Sequence, residues 1–245
     1  MVSFAAEPIF FLGKFAITNA LLDTLLVDFL LLILIIVVNK KISKIPGFLQ
    51  NIVELVIEGF YDLIKSVAEE RASKIFPYVV TFFLFILLAN WTGLIPGIGA
   101  FGIWENHHLV PFFRPATSDF NVTLGLALIS AVATHGLSIT TLGIKEYLGR
   151  FISLNPIFLF VGFLEIISEF TKVISLSFRL FGNIFAGEVV LGTISALFAF
   201  LFPVPFLMLE TVVGLVQALV FAMLTMAFMT ILTTPHSESS KEVSR

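Results

Sequence analysis

The sequence predicts an all-α polytopic membrane protein, with about five membrane-embedded helices, the last two long and tilted, plus one amphipathic surface helix. Three observations predict it. Of 245 residues, 58% are hydrophobic and only 13% are charged, whereas soluble domains average about 45–50% and about 25%. The mean hydropathy of +1.05 is too high for one soluble core. Apolar runs long enough to cross a bilayer, which takes about 20 residues, recur along the chain as a single membrane domain, residues 1–245.

Residues 1–20 are read as an extracytoplasmic N-terminus. Glu7, not a basic cluster, precedes the first apolar stretch, and no small-residue cleavage site follows closely. The first hydrophobic segment is therefore expected to stay as a span. That span is residues 21–38, ending in the unbroken run Phe29–Val38, with Lys40, Lys41 and Lys44 just beyond. Residues 47–74 differ. Gln50, Glu54, Glu58, Asp62, Lys65 and Glu69 recur among apolar residues at helical spacing, giving a helix with one wet face. It reads as an amphipathic helix on the cytoplasmic membrane surface; a helix packed on a soluble partner has the same pattern. Residues 76–95 and 120–142 are further spans.

Residues 157–202 form a very long apolar stretch. As one helix it would run roughly 69 Å, against a hydrocarbon core of about 30 Å. No polar turn or proline interrupts its middle, so one tilted helix is preferred to a hairpin. Residues 206–232 form the last helix, with Pro203 and Pro205 expected in the turn before it, and 233–245 a polar cytoplasmic tail. Basic residues set the orientation. Segment 39–75 holds Lys40, Lys41, Lys44, Lys65, Arg71 and Lys74; segment 143–155 holds Lys145 and Arg150; the tail holds Lys241 and Arg245. The opposite side has only Lys14 and Arg114. The N-terminus is thus outside and the C-terminus cytoplasmic, with an odd number of crossings.

Ionisable residues inside membrane spans are costly and usually functional. The long segment carries Glu165, Glu169, Lys172, Arg179 and Glu188; the last carries Glu210 and Gln217. At about 100° per residue, Glu165, Ser168, Lys172, Ser175 and Asn183 all fall within about 40° of Arg179. Glu188 falls about 180° away. Two polar faces on one helix suggest two ion-conducting paths; buried ion pairs that only lock helices together are the plainer alternative. Arginine keeps its charge when buried and is a poor proton carrier. Glu188 and Glu210 suit proton transfer, because a carboxyl pKa moves with its surroundings.

The run SLSFRLFGNIFAGE, Ser175–Glu188, resembles the hallmark of F-type ATP synthase subunit a, in its bacterial form. RPATSDFNVTLGLAL (Arg114–Leu128), LVQALVFAMLT (Leu215–Thr225) and FLFILLANWTGLIPG (Phe83–Gly97) agree with it. The likeness covers nearly the whole chain. It implies a stator channel subunit in the cell membrane, not an enzyme on its own, that holds two long tilted helices against a ring of subunit c. Peripheral-stalk subunit b and the rest of the F-type complex are the other implied partners. Arg179 matches the arginine that faces the rotor. Glu188, Glu210 and Gln217, with Asp119, are implied for an outer half-channel. Asn183, Glu165, Ser168 and Lys172 are implied for the cytoplasmic side. Some members carry His where this chain has Glu188 or Glu210, so the outer relay is expected to be carboxylate-only.

Other features exclude more than they assign. With no Cys, disulfides and thiol chemistry are absent. A net charge of −3 without a basic run argues against nucleic acid. No phosphate-binding G-x-x-x-x-G-K-[ST] loop occurs, so direct ATP binding is not expected. No cofactor is implied. His107 and His108 are adjacent and lack further clustered ligands, which argues against a metal site. Asp119 is suited to capping the helix that begins near Phe120, with a place in the outer access funnel as the alternative. His135 lies within a span, where packing and proton transfer are equally open. A stand-alone secondary transporter is the rival function, but neither inverted repeats nor broken helices are evident; a purely structural scaffold is the other.

Overall fold

The computed structural model describes residues 6–13, 15–40, 47–95, 97, 101–105, 108–151, 156–197 and 202–234. Lys14, Lys41, Lys44, His107, Lys241 and Arg245, all used in the sequence reading, lie outside them. Five helices are long and apolar enough to cross a membrane, and helices make up nearly all of the regular structure.

A short antiparallel hairpin, β1 (Pro8–Leu12) and β2 (Phe15–Thr18), precedes α1 (Asn19–Lys40). Asn19 joins the two, because its Oδ1 accepts from the Glu7 and Ala20 amides. Only Asn19, Ala20, Asp23 and Val27 of α1 are buried. Leu25, Phe29, Leu32, Ile35 and Ile36 are exposed, as expected of a helix whose other faces meet lipid.

The expected helix over 47–74 is two pieces. The first, α2 (Phe48–Ala68), stops where Glu69 takes φ +48°. A 3-10 turn (Glu69–Arg71) then leads into α3 (Ala72–Thr92). A positive φ at a non-glycine residue diverts the helical path, and no Gly or Pro announces it. Phe60 and Tyr61 of α2 meet Phe83 and Phe76 of α3, with ring centroids 4.6 and 5.5 Å apart. Glu58, Asp62 and Lys65 stay exposed on α2, beside the exposed apolar residues Phe48, Leu55 and Val67.

A second hairpin, β3 (Gly102–Glu105) and β4 (His108–Pro111), and a 3-10 turn (Ala116–Ser118) lead to α4 (Phe120–Leu142). Gly143, at φ +86°, turns the chain into the short helix α5 (Ile144–Phe151). Neither hairpin nor α5 was expected from the sequence. The long segment is one unbroken helix, α6 (Pro156–Leu197, 42 residues). At roughly 63 Å it must lie obliquely in any bilayer of ordinary thickness. The final helix is α7 (Pro203–Thr233). Pro203 and Pro205 stand inside its first turn instead of in the turn before it. Proline is tolerated there because its missing N–H would be unpaired anyway.

The core forms where α3, α4, α6 and α7 converge. Phe82, Phe83 and Ile86 of α3, Leu176, Leu180 and Ile184 of α6, and Ala218, Phe221, Ala222 and Met229 of α7 form one buried cluster. Between helices in lipid, close van der Waals packing does what hydrophobic transfer does in water, and small residues permit it. Gly214 fits this role: a Cβ there would come within 3.1 Å of the Asn90 Cβ.

One end of the bundle carries the last turn of α3, the 3-10 turn before α4, the C-terminal part of α6 and the start of α7. The other carries α5, which is tied to the end of α7 by Arg150 Nη1, a donor to the Ile231 and Leu232 carbonyls at 3.3 Å each. These are called here the turn end and the α5 end.

Candidate functional site

Near the turn end, Arg114 and Glu188 form an ion pair between the segment before α4 and α6. Arg114 Nε lies 3.2 Å from each Glu188 oxygen, and Nη2 donates to Oε2 at 3.2 Å. Arg114 is only 5% exposed. Its guanidinium sits 5.9 Å from the Phe185 ring centroid, and charge-assisted, forked contacts of this kind are the strong ones.

Glu210 of α7 reaches the same place. Its carboxylate rests against Gly187, where any Cβ would overlap it. Its Oε1 is buried with no hydrogen-bond partner among the described residues. Glu188 and Glu210 line one cavity of about 180 Å³ with Asn90, Arg114 and Leu94. One turn further along, Asn183 Nδ2 donates to Gln217 Oε1 at 2.7 Å. Asn183, grouped by the sequence reading with the cytoplasmic-side residues, therefore adjoins Gln217 of the outer group. Gln217 is buried, with its Nε2 unpartnered among the described residues.

Arg179 lies on a different face of α6. It is exposed and takes a 3.4 Å contact from Nη2 to Ser175 Oγ. It lines an open groove of about 400 Å³ with Ser168, Lys172, Ser175, Leu224 and Phe228. Of the helical stripe expected from spacing, Ser168, Lys172, Ser175 and Arg179 line this groove, whereas Glu165 pairs with Arg150 and Asn183 with Gln217; Glu188 lines the other cavity.

Toward the α5 end, ion pairs accumulate on α6. Lys172 Nζ lies 2.6 Å from Glu169 Oε1 and 5.0 Å from the Phe228 ring centroid. Glu169 Oε2 lies 3.7 Å from His135 Nε2. His135 Nδ1 in turn lies 3.0 Å from the Tyr147 hydroxyl. Arg150 Nε pairs with Glu165 Oε1 at 2.7 Å. Burial first, and then the charges of Glu169 and Glu165, push the Tyr147 phenol above its ordinary value.

Asp119 is placed as a cap. Its Oδ1 accepts from the Asn121 amide at 2.9 Å and from Asn121 Nδ2 at 3.1 Å, satisfying a first-turn donor of α4.

Several residues beside these sites were not singled out by sequence reasoning. Asp23 is fully buried, and its Oδ2 accepts from the Ala116 amide at 2.8 Å and from Thr92 Oγ1 at 3.1 Å. The signal was present, since Asp23 is a carboxylate within the first expected span. Asn90 accepts from Thr117 Oγ1 at 2.6 Å and donates to the Gly214 carbonyl at 2.9 Å. Arg114 enters the sequence reading for its sidedness and as the start of one family-like stretch, Glu169 as one charge among several, and Gly187 only within the run Ser175–Glu188.

The class that the fold and the site define is a polytopic helical membrane protein with carboxylates in one cavity and Arg179 and Lys172 on an open groove. Family comparison makes this particular. The family model described as ATP synthase A chain matches residues 21–230. A protein of Geotalea daltonii named ATP synthase subunit a is 36% identical over 213 residues, covering 86% of this chain and 85% of that one. A Moorella thermoacetica protein of the same name is 33% identical over 220 residues, covering 90% and 93%. The chain belongs to the ATP synthase subunit a family. These relatives are named as subunits of a complex, not as free-standing enzymes.

Proposed function

We propose that this chain is the stator channel subunit of an F-type ATP synthase in the cell membrane, passing protons to and from a rotor ring through two offset half-channels. The observation that carries the reading is the placement of polar groups on two faces of α6: Glu188 in the interior cavity with Glu210, Arg179 on the open groove. In this reading the turn end faces outward and the α5 end faces the cytoplasm, in line with the basic-residue bias. Peripheral-stalk subunit b is the stator partner. The α2 helix lies along the cytoplasmic surface with its charged face to water.

A proton enters at the turn end, passes Glu188, Glu210 and the Asn183–Gln217 pair, and neutralises a carboxylate on the ring of subunit c. Neutral, that site can turn into lipid. After nearly a full rotation it meets the groove side, where Ser168, Lys172 and Glu165 border a route to the cytoplasm. Arg179 holds the ionised rotor carboxylate and, being a fixed cation, does not pass a proton between the paths. Each charge crossing contributes about 2.3 kcal/mol per 100 mV, so one ATP needs several protons, which a ring of sites supplies. Asp119 acts by capping α4 and fixing the turn that carries Arg114.

The test is ATP synthesis by the purified complex in liposomes under an imposed proton gradient. Arg179→Ala should assemble and synthesise no ATP. Parental synthesis by a fully assembled variant would refute the proposal.

A further inference from the structure

Four titratable side chains line up from the Arg179 groove toward the α5 end, although the sequence places them on three different helices. Lys172 lines the groove with Arg179. Behind it, Glu169 Oε1 meets Lys172 Nζ at 2.6 Å, and its Oε2 faces His135 Nε2 of α4 at 3.7 Å. His135 Nδ1 meets the Tyr147 hydroxyl of α5 at 3.0 Å. Glu169 and Lys172 also share a small cavity with Ser130 and Thr134 of α4. Each ring nitrogen of His135 thus has its own partner, on opposite sides of the imidazole, which is the arrangement a proton shuttle needs. A simple packing histidine needs only one.

We propose that Glu169, His135 and Tyr147 form the proton relay by which the route along the Arg179 groove continues to the cytoplasmic surface, through α4 and α5. This rests on the channel reading above. A proton arriving from the groove protonates the Glu169 carboxylate. It passes from Oε2 to His135 Nε2, across a separation that one side-chain rotation or one water closes. The Nδ1 proton then moves to the Tyr147 oxygen as the Tyr147 hydroxyl proton leaves to water. One proton enters and one leaves, and the ring returns to its Nδ1–H form by giving its Nε2 proton to water and taking one proton from water at Nδ1. The transfer through Tyr147 is concerted, because burial and the charges of Glu169 and Glu165 disfavour a free phenolate. The charged groups facing the relay are Lys172, Glu165 and Glu169 from α6 and Arg150 from α5. Arg150 is engaged with Glu165 at 2.7 Å, which keeps its charge on that pair and off His135.

The alternative is an ion-pair clamp that merely fastens α4 and α5 to α6. Two variants separate them. His135→Gln removes the titrating ring. His135→Lys keeps a cation able to pair with Glu169, so a clamp survives it and a relay does not. The measurement is ATP synthesis by the reconstituted complex under an imposed proton gradient, with assembly checked by subunit content. A relay predicts that both variants assemble and lose synthesis by roughly tenfold or more, and that Glu169→Gln added to either lowers it no further. Parental rates in His135→Gln, or restoration by His135→Lys, would overturn the relay. Arg179→Ala in the same preparation distinguishes the two levels: if it abolishes synthesis while the His135 variants are normal, only the relay fails.

Discussion

Arg114 and Glu188 meet through three contacts of 3.2 Å, although 74 positions separate them in the chain. The pair fixes the segment before α4 against the C-terminal part of α6 and holds one carboxylate of the cavity in place. Removing one partner of a buried pair leaves the other charge uncompensated, which costs more than the intact pair contributes. Arg114→Ala should therefore destabilise the protein by about 2 kcal/mol or more and lower ATP synthesis. The double variant Arg114→Ala with Glu188→Ala should recover part of the lost thermal stability while staying inactive. Equal melting temperatures for the single and double variants would show that the pair is not the source of the effect.

A Cβ at Gly187 overlaps the Glu210 carboxylate. The nearest atoms it meets all belong to the end of that side chain, so Gly187→Ala should turn Glu210 aside without moving α6 or α7. Gradient-driven ATP synthesis should fall, while the melting temperature of the detergent-solubilised complex changes little. Parental synthesis would mean that the position of the Glu210 carboxylate beside Gly187 is not needed.

Asp23 holds the 3-10 turn behind the cavity wall. It accepts from the Ala116 amide and the Thr92 hydroxyl. The hydroxyl also reaches the Ala89 carbonyl at 3.1 Å, so Asp23→Ala leaves chiefly the buried Ala116 amide without its acceptor, at a cost of about 1–3 kcal/mol. Asp23→Asn keeps one accepting oxygen and should lose less. The two variants are compared by melting temperature at matched expression. An equal loss for Asn and Ala would indicate that charge, not acceptance, is what the site requires.

The helices and the two-faced character of α6 could be read from the sequence for a simple reason. Lipid requires long apolar runs, and about 100° per residue places Lys172 near Arg179 and Glu188 opposite. What could not be read depends on contacts between distant segments. Nothing local connects Arg114 to Glu188, or Asp23 to Ala116. The break at Glu69 has no Gly or Pro to announce it, and the two hairpins lie in short segments outside the spans, one before the first and one between two of them, where lipid imposes no pattern. Asn183, which the family resemblance implies for the cytoplasmic side and which shares a stripe with Lys172, has its amide on Gln217 of α7. Angular position on one helix does not say which neighbour a side chain will meet.

The central claim is that a fixed guanidinium at Arg179 separates the two paths. It is tested most directly by Arg179→Lys in the reconstituted complex, with ATP synthesis under an imposed proton gradient and passive proton leak followed in the same vesicles. Lysine is a compact ammonium that gives up its proton more readily when desolvated and cannot grip a carboxylate through a planar fork. The account predicts an assembled variant whose synthesis is lost and whose proton leak is raised. Synthesis at the parental rate with no added leak would contradict it, because any cation at that position would then suffice.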